Sequence, residues 1–198
     1  MEKVQLKDKL EIILIGGSAG SFHIIMNILR GLENNFSIPI IIVLHRKNDD
    51  KTGLIELMNS SCNLMVKEAE DKDIIRKGFI YIAPSDYHVL VEKNGSLSLD
   101  YSEKINFSRP SIDVTFQTAA EAFGSKVTAI LLSGSNQDGT EGLKTVKEFG
   151  GTTVIQNPKE AEFPFMPDYA LKHATIDKII GNEQIVSFIK NCDSKHQL

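Results

Sequence analysis

Tryptophan is missing from this chain, and cysteine occurs only at Cys62 and Cys192. Two thiols without metal-ligand spacing supply neither a disulfide framework nor a zinc site, so both are expected to be reduced and buried. No apolar run approaches the roughly 20 residues that cross a bilayer. The longest, 38–44, is interrupted by Pro39. The opening segment MEKVQLKDKLE is charged throughout and lacks the apolar centre of a secretory leader. Neither sign of charge dominates, because 22 Lys and Arg against 26 Asp and Glu leave a net charge of -4. That balance offers no footprint for nucleic acid or an anionic membrane. The expectation is a cytoplasmic protein with no nucleic-acid partner and no membrane insertion.

What the chain does have is length and buried-looking strands. A total of 198 residues, 41% of them hydrophobic and 24% charged, suits one domain with a sizeable core. The expected domain spans 1–192, followed by a disordered tail over 193–198. Apolar runs at 12–15, 38–44 and 127–132 read as buried strands, and 152–156 as the next strand. Shorter strands are expected at 64–66, 79–83 and 176–180. Between them lie helical spacings that start at Phe22, at Leu54, after Pro110 and near Thr140. The last of these presents Leu143, Val146 and Phe149. Two further helices cover 168–173 and 182–191. Asn94-Gly95 between 87–92 and 97–101 signals an antiparallel hairpin. The pattern predicts an α/β fold, a doubly wound and mainly parallel sheet with helices on both faces and one antiparallel hairpin.

The first strand stops at Gly16-Gly17, and Ser18 then stands at the tip of a tight turn with Ala19 and Gly20 before a helix. Small neighbours leave the hydroxyl uncovered, as in a nucleophile elbow. In such sheets reactive groups gather beyond the carboxyl ends of the strands. The second strand ends at His45, and the strand at 127–132 leads within a few residues to Asp138. A serine, an imidazole to take its proton and a carboxylate to orient the imidazole are the parts of a nucleophilic triad. Asp138 precedes the helix near Thr140, whose positive end is expected to favour its ionised form. Backbone N–H groups at Ala19 and in the 134–136 loop, Ser135 among them, are expected to meet an oxyanion.

Each residue also has a plainer reading. Ser18 as a helix cap, His45 as a hydrogen-bonded structural histidine and Asp138 as a turn aspartate before Gly139 all stand beside the triad. His88, after Pro84-Ser85-Asp86, is a candidate to line a substrate groove. Dinucleotide binding is a rival for the glycine turn. The G-x-G-x-x-G pattern fails at Ser18, although Arg46-Lys47 suits a 2′-phosphate. No metal or other cofactor is expected.

The strings IGGSAG at 15–20, LH at 44–45, KEAED at 67–71, YIAPSDYH at 81–88, RPSIDV at 109–114, LSGSNQDG at 132–139 and FMP at 165–167 occur in one order. With them the chain resembles the catalytic domain of CheB-type chemotaxis protein-glutamate methylesterases over nearly its whole length. The resemblance implies Ser18 as nucleophile, His45 as general base and Asp138 as orienting carboxylate. It further implies methyl-accepting chemotaxis receptor helices as partners, hydrolysis of glutamate methyl esters, and in some members deamidation of receptor glutamines. Ala19 stands where the family usually has threonine, Ser135-Asn136 where it has methionine-glycine, and Arg46-Lys47 where it has Met-Pro. Only about ten residues precede the first strand, so the family's receiver domain is expected to be absent, and three readings stand: the domain acts constitutively, a separate receiver or other regulatory protein gates it, or the sequence is a piece of a longer chain. A catalytically quiet module that binds receptors or signalling proteins is the alternative that these departures leave.

Overall fold

A computed structural model describes residues 10–46 and 52–194 of the chain. The chain begins with β1 (Ile12–Gly17), α1 (Phe22–Gly31), β2 (Ile40–Leu44), α2 (Thr52–Ser60), β3 (Met65–Glu68) and β4 (Phe79–Ile82). A hairpin of β5 (His88–Val91) and β6 (Leu97–Asp100) precedes α3 (Ile112–Phe123) and β7 (Val127–Leu131). The last elements are α4 (Thr140–Glu148), β8 (Thr152–Gln156), α5 (Phe165–His173), β9 (Lys178–Ile180) and α6 (Asn182–Ser194). Seven strands form one sheet in the order β3-β4-β2-β1-β7-β8-β9, and every neighbouring pair is parallel.

The isoleucine-rich runs are explained by burial on both faces. Ile12, Leu14, Ile41, Ala129 and Leu131 pack with Phe116 of α3, Leu143 of α4 and Met166 of α5. Their neighbours Ile13, Ile15, Ile40, Ile42 and Ile130 point the other way, against Ile25 and Leu29 of α1, Met58 of α2 and Ile189 of α6. The two-residue strand period therefore serves two cores at once.

The hairpin turns through Asn94 and Gly95, where Gly95 takes φ +81, a region that glycine enters without steric cost. Its two strands form a separate antiparallel pair and pack on α3. Thr115 Oγ1 donates to the Val89 carbonyl at 2.8 Å, and Val91 N donates to Thr118 Oγ1 at 3.0 Å. These bonds fasten α3 to the hairpin strand β5.

Several boundaries differ from expectation. β2 starts at Ile40, because Pro39 has no N–H for the ladder and contributes only its carbonyl, which accepts from Ile13 N at 3.0 Å. Phe149 lies beyond the end of α4, where Gly150 turns the chain at φ +82, and is 46% exposed instead of buried. Both cysteines are half-buried, so their expected burial is incomplete. α6 runs past the expected tail boundary. Asp193 is buried and accepts from Ser37 N at 3.1 Å and Ser37 Oγ at 2.6 Å. Positions 47–51, which follow the expected strand end at His45, and 195–198 of the expected tail lie outside the described residues.

Candidate active site

From β1 the chain first builds outward through β2 and β4, and later through β7 and β8 on the other side. The carboxyl ends of β1, β2 and β7 meet where these directions diverge, which is where open parallel sheets form their crevices. Gly17 pairs with Leu44, and His45 N donates to the Gly17 carbonyl at 3.0 Å. Ser18 and His45 are thus the next residues outward on neighbouring strands. On the other flank Ser18 N donates to the Ser133 carbonyl at 2.9 Å, so the chain leading to Asp138 starts beside Ser18. The approach is close: a Cβ on Gly134 would lie 2.5 Å from Met166 Cε and 3.0 Å from Ser18 Cβ.

Asp138 is fully buried and accepts at both oxygens. Oδ2 takes His45 Nε2 at 2.8 Å and Ile112 N at 2.7 Å. Oδ1 takes Ser111 Oγ at 2.9 Å, Asp113 N at 3.0 Å and Gly139 N at 3.1 Å. The carboxylate therefore caps the N-terminus of α3, where free N–H groups and the helix dipole favour an anion. α3 thus adds to the adjoining α4, whose N-cap Gly139 also donates to Oδ1. Burial alone would raise the Asp138 carboxyl. The hydrogen bond and charge of His45, with the N–H groups of Ile112 and Asp113, outweigh burial and hold it below its ordinary value.

An ionised Asp138 accepts only, so Nε2 of His45 carries a hydrogen and neutral His45 has its lone pair on Nδ1. Ser108 Oγ lies 3.3 Å from Nδ1. Sequence reasoning missed this residue. The hydroxyl of Ser18 makes no hydrogen bond among the described residues. It does not cap α1, since Ser21 takes the N-cap position and sends its own hydroxyl to the Ser18 carbonyl at 2.7 Å. Backbone N–H groups of Ala19 and Ser135 are likewise uncommitted among the described residues, while that of Gly134 is taken by the Phe163 carbonyl at 3.0 Å. The edge thus joins a free hydroxyl, an oriented imidazole, a buried carboxylate and two available N–H donors.

A family model described as CheB methylesterase matches residues 13–189. The chain belongs to the CheB methylesterase family. It is 34% identical to the crystal structure of the Thermotoga maritima CheB methylesterase catalytic domain, with a TM-score of 0.88 over 93% of this chain and 99% of that one. A Leptospira interrogans relative is 40% identical over 186 residues, which cover 94% of this chain and 96% of its own. The Thermotoga maritima protein-glutamate methylesterase/protein-glutamine glutaminase is 36% identical over 173 residues, 86% of this chain and 50% of that protein. The chain therefore spans nearly all of one relative and half of the other.

Within this CheB methylesterase domain His88 bonds to the backbone at the start of α3. His88 is fully buried, with Nε2 on the Glu103 carbonyl at 3.1 Å and Nδ1 accepting from Ser111 N at 3.1 Å. It holds the start of α3 and lines no groove, contrary to expectation. A cavity of about 580 Å³ lies against Ser135 and is walled by Phe163, Phe165, Lys159 and Asp168. No helix among the described residues is long and apolar enough to cross a membrane.

Asp113 is the second acid of the site. It is 4% exposed and accepts from Gly142 N at 2.7 Å and Asn106 Nδ2 at 3.0 Å. Burial, then the charge of Asp138, push its carboxyl up to about 7, against the pull of the Gly142 N–H. Between the ordinary value of 3.8 and about 7 the folded protein holds a proton that the unfolded chain has released. The stability this confers is complete below 3.8 and is lost as pH rises through about 7. Asp113→Asn is therefore predicted to gain on the parent by about 1–3 kcal/mol between about pH 5 and about pH 8, read by denaturant unfolding. A difference that stays constant with pH would contradict a protonated Asp113.

Proposed function

We propose that this chain is a cytoplasmic serine hydrolase that removes methyl groups from glutamate methyl esters on the helices of methyl-accepting chemotaxis receptors. In this reading Ser18 is the nucleophile, His45 the general base and Asp138 the orienting carboxylate. The observation that carries it is the 2.8 Å hydrogen bond from His45 Nε2 to Asp138, on the edge where the Ser18 hydroxyl is uncommitted.

Because Nε2 is committed to Asp138, Nδ1 takes the proton of Ser18 as Oγ bonds to the ester carbonyl carbon. The carbonyl π electrons move to oxygen, and the oxyanion accepts from the N–H groups of Ala19 and Ser135. When the tetrahedral centre collapses, Nδ1 gives its proton to the methoxy oxygen and methanol leaves. Water then attacks the acyl carbon, passing its proton to Nδ1. Oγ departs and regains that proton, and the glutamate carboxylic acid ionises as it is released. With a glutamine side chain the same sequence expels ammonia, which is the deamidation named for the Thermotoga maritima relative.

The cavity against Ser135 supports a helical substrate, since its Phe163 and Phe165 rings are exposed apolar surface beside polar Lys159 and Asp168. Control is proposed to come from a separate receiver or other regulatory protein that covers this edge. A serine-directed fluorophosphonate tests the enzyme reading against that of a quiet binding module. Stoichiometric labelling of Ser18, located by peptide mass and absent in Ser18→Ala, is expected. Folded protein that takes no label would establish the module instead.

A further inference from the structure

The loop from Ile105 to Ser108 takes a shape that the three triad side chains do not by themselves require. Asn106 and Phe107 both take positive φ, 48 and 63, in the left-handed region that side chains other than glycine seldom enter. Such a conformation persists only where the surroundings fix it, and here they do. Asn106 donates to Asp113 Oδ2 at 3.0 Å, and its side-chain oxygen accepts from Gln137 Nε2 at 3.2 Å. The loop closes on itself where Ile105 and Ser108 exchange backbone hydrogen bonds of 3.1 and 2.8 Å. Its result is to set Ser108 Oγ at 3.3 Å from His45 Nδ1, across 63 residues of sequence.

Ser108 has a second acceptor and a fixed donor. Its hydroxyl also reaches the Asn106 carbonyl at 3.4 Å, and Oγ accepts from Asn136 Nδ2 at 3.1 Å. A hydroxyl carries one hydrogen and two lone pairs. With neutral His45 the hydrogen points to the Nδ1 lone pair. Once Nδ1 is protonated, the hydrogen turns to the Asn106 carbonyl and a lone pair receives Nδ1–H, while Asn136 keeps the other. One rotation thus satisfies both states. At 3.3 Å the contact is long enough to yield Nδ1 to Ser18.

We propose that Ser108 is a positioning residue whose hydroxyl, anchored by Asn136, serves Nδ1 of His45 in both protonation states of the imidazole. The inference rests on the hydrolase reading above, in which Nδ1 is the nitrogen that carries the proton. The pairing is local to this chain's own residues, since Asn136 belongs to the Ser135-Asn136 departure from the family pattern. Hydrogen bonds to a charged partner are stronger than those to a neutral one, so the net effect favours the imidazolium that forms during reaction.

Other charges bear on His45 and stay in place when Ser108 is changed. Asp138 holds Nε2, Asp113 lies behind Asp138, and the Arg46–Glu68 and Arg109–Asp86 pairs occupy the adjoining loops.

The test is hydrolysis of a peptide bearing a glutamate γ-methyl ester, followed by methanol release across pH, with Ser108→Ala, Ser108→Thr and Ser18→Ala. Ser108→Ala is expected to lower kcat about tenfold with KM within about twofold, the size of one lost hydrogen bond to a charged group. The acidic limb of its kcat/KM profile should move down by about half a pH unit, because the imidazolium has lost a partner. Ser108→Thr keeps the hydroxyl and should restore both. An unmoved limb in Ser108→Ala, or a threonine variant no better than alanine, would overturn the assignment while Ser18→Ala remains inactive. Activity surviving in Ser18→Ala would instead overturn the hydrolase reading beneath it.

Discussion

Asp138→Asn is expected to lower kcat about 10⁴-fold and leave the fold intact. Oδ1 faces the N–H groups of Asp113 and Gly139 and the Ser111 hydroxyl, and Oδ2 faces Ile112 N and His45 Nε2. An asparagine keeps its oxygen on the side with more donors, so its NH₂ turns toward Ile112 and His45. His45 then accepts at Nε2 and carries its hydrogen on Nδ1, where it cannot take the proton of Ser18. The barrier rises by about 5 kcal/mol through the wrong tautomer alone. Ile112 N loses its acceptor at the same time, a cost of about 1–3 kcal/mol in stability. Methanol release measured beside the unfolding midpoint separates the two effects. A variant with near-parent activity would show that Asp138 does not orient the base.

Ser18→Ala is expected to lower kcat by about 10⁵ to 10⁶, the largest effect of any substitution here. No covalent intermediate can form, and what remains is water attack aided by the N–H donors. Stability should change by less than about 0.5 kcal/mol, because the Ser18 hydroxyl makes no hydrogen bond among the described residues and alanine keeps the Cβ beside Gly134. A large loss of rate with an unchanged melting curve is thus the combined signature. Equal losses of both would place Ser18 in the structure and not in the chemistry.

The parts of the fold that carry the site were legible where the signal is local. Apolar runs identify β1, β2 and β7, Asn94-Gly95 identifies the hairpin, and Pro110-Ser111 places the start of α3, whose N-cap is Ser111. What was not legible depends on contacts distant in sequence. Sequence proximity ties Asp138 to the helix that follows it, yet two of the N–H groups it accepts from lie in α3, 25 and 26 residues earlier. His88 follows Pro84-Ser85-Asp86 and reads as a candidate to line a substrate groove, but both ring nitrogens are spent on backbone groups inside the fold. Ser108 had no pattern to announce it. Its position follows from two left-handed residues, of which Asn106 is held by Asp113 and Gln137, and neither Asn106 nor Phe107 marks a turn of that shape as Gly would.

That Ser18, His45 and Asp138 act as one unit is tested most directly by combining Ser18→Ala with Asp138→Asn and measuring methanol release from a glutamate γ-methyl ester peptide. Orienting the base is useless without the hydroxyl it serves, so the double variant is predicted to match Ser18→Ala alone. A further drop in the double variant, multiplying the two single losses, would mean that the carboxylate and the hydroxyl act independently and that the triad reading is wrong.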